Sequence, residues 1–188
     1  MEFHPQSAPV PERHRTDRLS LQPLRVTDVE RDYDAVMSSR ATLRRWSQSD
    51  WPADDFTLAG NRADLERHER EHLERVAFTF TVLDTRDERC LGCVYLMPLR
   101  REEAELFPDA GHGTRVGFWV RESERSTGLE EHLLATLREW MTAAWAFDAV
   151  AFTVYEKDAR QAAVLAACGL TLRRAFTLPD GRACRVFT

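Results

Sequence analysis

Four groups of residues in this 188-residue chain have types and spacings that could do chemistry. The first is Arg125-Ser126-Thr127-Gly128-Leu129, a polar turn that runs straight into a helical pattern with Leu129, Leu133, Leu137, Trp140 and Met141 on one face. A turn feeding a helix points several unpaired N–H groups at one spot, and the helix dipole adds partial positive charge there. A diphosphate is then held without needing a basic side chain. Arg125 would add one charge, and Gly128 would permit close approach and a positive φ. Glu130 works against this, because a first-turn carboxylate draws on the same dipole that should attract phosphates. The alternative is a capped helix with nothing bound.

The second group is His68-Glu69-Arg70-Glu71-His72, a literal H-E-x-x-H with two imidazoles one helical turn apart. Its inner and flanking residues are charged and no third ligand stands out downstream, so the reading is an exposed, salt-bridged face and no metal. The third is Cys90-Leu91-Gly92-Cys93, in a strand pattern where residues three apart point to opposite faces. Without a second Cys or His pair, these are structural cysteines. The fourth is the pair Trp46 and Trp51, in a segment rich in turn formers where indoles need something to pack on.

The elements that must position these groups follow from periodicity. Residues 1–16, polar and proline-containing, read as a mobile arm, and residues 17–188 as one domain. Arg18 to Leu24 alternates as a strand, with Pro23 favouring an edge position. Thr27 or Asp28 caps a helix carrying Val29, Tyr33, Val36 and Met37, and Thr57 to Arg75 forms a second, highly charged helix. Phe78 to Val82 and Cys90 to Leu99 make a hairpin, and Val116 to Val120 a buried strand. After the helix from Gly128 come a strand at Ala149 to Tyr155 and an Ala-rich helix from Asp158 to Cys168, stopped by Gly169. A last hairpin, Leu170 to Leu178 with Arg182 to Phe187, turns at Pro179-Asp180-Gly181. The order is β-α-α-β-β-β-α-β-α-β-β.

The net charge of -5 argues against a general nucleic-acid binder. No apolar run reaches the roughly 20 residues needed to cross a bilayer, so no membrane partner is expected. Four cysteines without a secretion signal point to a reducing, cytoplasmic address.

The element order and the stretch from Val116 to Trp140 together resemble the acetyl-CoA-dependent GNAT acetyltransferases, nearest in pattern to the ribosomal-protein acetyltransferases. Thr16-Asp17-Arg18-Leu19, Pro23-Leu24 and Asp28 look like that family's first strand and helix. Gly117-Phe118-Trp119-Val120 and Arg125 to Leu129 look like its cofactor strand and pyrophosphate loop, with Glu130 where the family writes Gly or Ala. The resemblance implies an α/β (α+β) three-layer fold around a mixed, mostly antiparallel sheet. It implies acetyl-CoA as acyl donor, held by Phe118, Trp119, Val120, Arg125, Ser126, Thr127, Gly128, Leu129, Glu130 and Asp158, with Trp46 and Trp51 on the acceptor side. The strand ending at Val120 would splay from Ala149 to Tyr155, and a backbone N–H near Val120 would polarise the thioester carbonyl. The acceptor would enter between the Trp46–Trp51 segment and Leu106 to Arg115.

The tyrosine that much of the family places in its last helix aligns with Leu165. The catalytic side chains are therefore unassigned, with Tyr155 and Cys168 the nearest substitutes. The implied activity is direct transfer of an acetyl group to a small-molecule or peptide amine, without metal, and with room for a homodimer through the carboxy-terminal strands. The competing implication is a catalytically silent module of the same fold, acting in binding or assembly; Glu130 and Leu165 motivate it.

Overall fold

Alternation at period two sorts the apolar residues onto the two faces of one sheet. The computed structural model describes residues 1–188, and its strands are β1 (His14–Arg15), β2 (Ser20–Pro23), β3 (Phe78–Leu83), β4 (Cys90–Pro98), β5 (Gly113–Val120), β6 (Ala149–Tyr155), β7 (Leu172–Thr177) and β8 (Ala183–Phe187). They form a single sheet ordered β1-β2-β3-β4-β5-β6-β8-β7, antiparallel throughout except for the parallel pair β5–β6. The helices are α1 (Val29–Ser38), α2 (Arg40–Ser47), α3 (Leu58–Leu73), α4 (Arg101–Ala104), α5 (Leu129–Ala144) and α6 (Ala159–Ala167). One face of the sheet, with Phe78, Phe80, Val94 and Phe118, packs on Leu133, Leu137 and Trp140 of α5 and Leu165 of α6. The other, with Leu83, Cys90, Cys93 and Trp119, packs on Val29 and Val36 of α1, Leu43 of α2 and Leu65 of α3. Three layers result, as the family resemblance implies.

Several local expectations change. Arg40–Ser47 is a helix that runs into the break expected from Arg44 to Pro52, so Trp46 sits on α2 and only Trp51 lies in the following loop. Residues 1–16 pack on the domain rather than standing off as an arm. Phe3 stacks on Phe78 at 5.2 Å, His4 is buried, and Arg75 donates to the carbonyls of Pro5 and Ala8 at 2.9 and 2.6 Å. The signal was Phe3-His4, an aromatic pair among prolines. Pro23 lies on a strand with neighbours on both sides, yet β1 pairs only with Ser20 and Leu21, so Pro23 itself meets no partner on that side.

The cysteine pair is a further correction. A bulge at Val82/Leu83 sets Leu83 opposite Cys90 and leaves Leu91 extra, so Cys90 and Cys93 share one face of the sheet instead of opposing ones. Beside it, Gly92 presses against β5, where any Cβ would meet the Trp119 carbonyl oxygen at 2.1 Å. Both thiols are buried, and burial pushes the Cys90 thiol up to about 12.

Candidate active site

The centre of the sheet opens where β5 and β6 part. Their register runs from Gly113 opposite Ala149 to Val116 opposite Phe152 and then stops, while β5 continues to Val120 and β6 to Tyr155. Successive amides of a strand point to alternate sides. Since the Arg121 N–H bonds to the Leu91 carbonyl on the β4 side, the N–H groups of Phe118 and Val120 point into the gap. The Phe118 carbonyl, also in the gap, accepts from Gln161 Nε2 at 2.7 Å. Gln161 is placed by Asp158, whose Oδ1 accepts from the Gln161 N–H at 3.1 Å and so caps α6.

At the α5 end of the gap lies the turn from Arg125 to Gly128. Gly128 takes φ 75, a conformation that a side chain would strain, and starts α5 directly. Neither Ser126 N–H nor Gly128 N–H has a backbone partner, and the first-turn amides of Leu129, Glu130 and Glu131 have none by the nature of a helix start. The carbonyls of this turn are bound elsewhere: Arg18 takes those of Thr127 and Gly128 at 3.1 and 3.3 Å, and Arg160 takes that of Arg125. The amides are left without a backbone acceptor.

Glu130 points inward and is 3% exposed. With Arg125, Asp158, Gln161 and Val120 it lines a small hollow whose far wall is Trp46 and Trp119. Burial pushes its carboxyl up from the usual range, against the pull of Arg160, whose Nε lies 3.3 Å from Oε2, and of Arg125.

On the α1–α3 side the gap meets a cavity of about 500 Å³. Trp46 and Trp119 line this cavity too, so the two hollows share a wall of indoles. Trp51, Tyr95, Asn61, His68, Arg115 and Tyr155 complete much of its lining. Residues 106–114, expected on the acceptor side, do not line this cavity; α3 does, with Arg115 the one member of that segment to take part. Trp46 stacks on Tyr95 at 5.7 Å, and Tyr95 Oη accepts from Trp119 Nε1 at 3.1 Å.

His68, weighed from sequence only as a metal ligand and placed on an exposed helix face, lines this cavity instead. Its Nδ1 lies 3.2 Å from Glu71 Oε2 and 3.1 Å from Thr79 Oγ1, and its Nε2 lies 3.1 Å from Arg67 Nη2. Because Arg67 can only donate, Nε2 carries the lone pair and Nδ1 the proton. Burial and then Arg67 lower the pKa of His68 below the usual imidazole value, so it is neutral at pH 7. Its H-E-x-x-H partner, His72, instead packs edge-on against Phe78 and Phe80. Leu165 is fully buried, Cys168 caps the far end of α6, and Tyr155 lies under the Arg182 guanidinium at 4.8 Å.

A sheet split between a helix-start amide cluster and an aromatic cavity now stands beside a sequence match. The family model of the acetyltransferase (GNAT) domain matches residues 18–171. The chain belongs to the GNAT acetyltransferase family. The acyl donor of this family is acetyl-CoA, and the acetyltransferase has the mixed α/β sheet of its relatives. Among solved structures it is similar to the ribosomal-protein-S5-alanine acetyltransferase of Vibrio fischeri, with a TM-score of 0.71, 19% identity, and 94% and 95% of the two chains covered. RimJ of Mycobacterium smegmatis, in complex with CoA-disulfide, gives 0.70 at 17% identity over 90% and 80%. The microcin C7 self-immunity acetyltransferase MccE, in complex with acetyl-CoA and AMP, gives 0.72 at 12% identity over 92% of each chain. At these identities the likeness is one of fold. No curated protein sequence matches the chain. No helix is long and apolar enough to cross a membrane.

Proposed function

We propose that this acetyltransferase moves an acetyl group to an amine by direct attack, with the donor in the β5–β6 gap and the acceptor in the 500 Å³ cavity. The observation that carries the reading is the shared wall of Trp46 and Trp119, which brings a phosphate-competent turn and an acceptor-sized cavity to opposite ends of one opening. When bound, acetyl-CoA supplies an acetyl thioester. The free amides of Ser126, Gly128, Leu129, Glu130 and Glu131, with Arg125, would hold its diphosphate, and Phe118, Trp119 and Val120 its pantetheine arm. The Val120 N–H, aimed into the gap, would donate to the thioester oxygen as charge develops there.

His68 is the general base of this scheme. It is neutral at working pH and lines the cavity, and its Nε2 lone pair, which accepts from Arg67 Nη2, would take the amine proton after that half-exposed guanidinium is displaced by the acceptor. Glu71 orients the ring and would stabilise the imidazolium that forms. Similar structures whose names record ribosomal proteins as acceptors favour an amine on a protein or peptide; a 500 Å³ cavity admits either a chain terminus or a small molecule. The outer edge of β7, at the end of the sheet, is where a second copy would pair.

Calorimetric titration with acetyl-CoA, followed by thiol release in the presence of an amine panel, tests the proposal. Micromolar binding with amine-dependent thiol release is expected. A folded protein that binds no acetyl-CoA would instead be the silent module.

A further inference from the structure

The cavity is more cationic than the protein around it. Arg67, Arg100, Arg115 and Arg182 line it against two carboxylates, Asp32 and Asp64, in a chain whose net charge is -5. Three of the four are engaged by the protein. Arg67 donates to both Glu71 oxygens at 3.0 and 3.2 Å, and Arg100 to Glu103 Oε1 at 3.1 Å. Arg182 donates to Asp180 Oδ2 at 2.7 Å and to the Ser47 carbonyl at 3.1 Å.

Arg115 differs. Its Nε donates to the Pro98 carbonyl at 3.1 Å, and neither terminal nitrogen has a hydrogen-bond partner, although the side chain is only 20% exposed. The nearest carboxylate, Glu103, is 3.9 Å from Nε and already accepts from the Arg100 N–H at 2.7 Å and Thr153 Oγ1 at 2.8 Å, besides Arg100 Nη1. Two guanidinium groups thus share one fully buried carboxylate, and one positive charge is left over toward the cavity. Burial, and then Arg100, push the Arg115 pKa down to about 10, so the charge is present at neutral pH but poorly compensated. A mostly buried guanidinium whose terminal nitrogens have no protein acceptor and open toward the cavity is ready to bind an anion there, and its flat fork fits an oxyanion on two parallel bonds.

We propose that the acceptor is an amine that also carries an oxyanion, carboxylate or phosphate, and that the free terminal nitrogens of Arg115 seat that oxyanion. This rests on the acetyltransferase reading of the cavity and narrows its substrate class. The aromatic lining fits the body of such a molecule between the two ends.

The test has a binding arm and a transfer arm. In the first, 3-phenylpropanoate, phenyl phosphate and the neutral 3-phenylpropanamide are titrated into the protein, read by calorimetry and by the fluorescence of the cavity indoles. At least one of the anions is expected to bind about 10-fold or more tighter than the amide, the tighter of the two naming the oxyanion. Arg115→Gln should abolish that ratio while leaving the Kd values of the amide and of acetyl-CoA unchanged, and Arg115→Lys, which keeps the charge but not the fork, should retain part of it. Equal binding of anions and amide, or a ratio untouched by Arg115→Gln, overturns the proposal. Should that variant fail to fold, an unchanged ratio in Arg115→Lys does the same. In the second arm, thiol release is compared for phenylalanine and phenylalaninamide, with preference for phenylalanine or for phosphate-bearing amines expected. Arg115-dependent anion binding without acetylation of any amine leaves the oxyanion site standing and fells the transferase reading alone.

Discussion

His68 and His72 lie one helical turn apart, and their surroundings send them to different tasks. Replacing the proposed base, His68→Gln, should lower kcat/KM by about 100-fold and remove the acid limb of its pH profile, with acetyl-CoA affinity retained; a profile that keeps that limb would clear His68 of the role. His72 is held neutral, its pKa lowered to about 4, chiefly by burial. Its stabilising share is present above about 6.5 and is lost as pH falls toward about 4. Asp32 behaves in the opposite sense. Burial raises it to about 6 despite a 2.9 Å bond from Asn61, so the native state gains from it below about 3.8 and loses that gain as pH rises through about 6. In denaturant titrations, Asp32→Asn should therefore be more stable than the parent at pH 7 by up to about 3 kcal/mol and no more stable at pH 4. His72→Leu should lose less stability than the parent between pH 7 and pH 4.5. An Asp32→Asn gain that is the same at both pH values would contradict the burial cost. The inward face of α3 was legible in principle: Asn61, Leu65, His68 and His72 recur at helical spacing, the first three reaching the cavity and His72 the core, but the charges between them made the helix look solvated.

At the scale of elements, the α5 start carries the sharpest test. Glu130 faces into the small hollow, where its charge would oppose a diphosphate bound as proposed while helping to hold Arg160 and Arg125. Glu130→Gln removes the charge and keeps the shape, and should tighten acetyl-CoA binding about 5-fold, on the scale of one dipole-site charge. Weaker binding in that variant would mean that the carboxylate positions the two arginines instead. Elements with strong local signals were legible. α3 begins at its Thr57 cap, whose side chain accepts from the Gly60 N–H at 3.1 Å, and α6 ends before Gly169, at φ 84. Those without such signals were not. α2 has no side-chain cap and three arginines in eight residues, and it is held as a helix by Leu43 in the core beneath it. The bulge in β4 could not be read either, because it arises from pairing with β3 and not from any residue of Cys90 to Cys93 alone.

For the whole molecule, periodicity predicted most of the strands and helices, while the layers and the mixed sheet came from the family resemblance. It did not predict that the amino-terminal residues close one end of the core, where His4, Phe78 and Trp145 meet edge to face or tilted at 5.2 to 5.6 Å. Nor did it reveal the cavity arginines as a group, since Arg67, Arg100, Arg115 and Arg182 come together only through the fold. The parting of β5 from β6 has a consequence for the time course of solvent deuterium uptake. A strand in the middle of an eight-stranded sheet ordinarily exchanges with the slowest amides of the protein, yet the Phe118 and Val120 amides have no ladder partner in the gap. They should exchange faster than those of Val116 and Trp119 on the same strand, and acetyl-CoA should slow them selectively. The sheet would then have its quickest clock at its centre, and the ligand would be the hand that stops it.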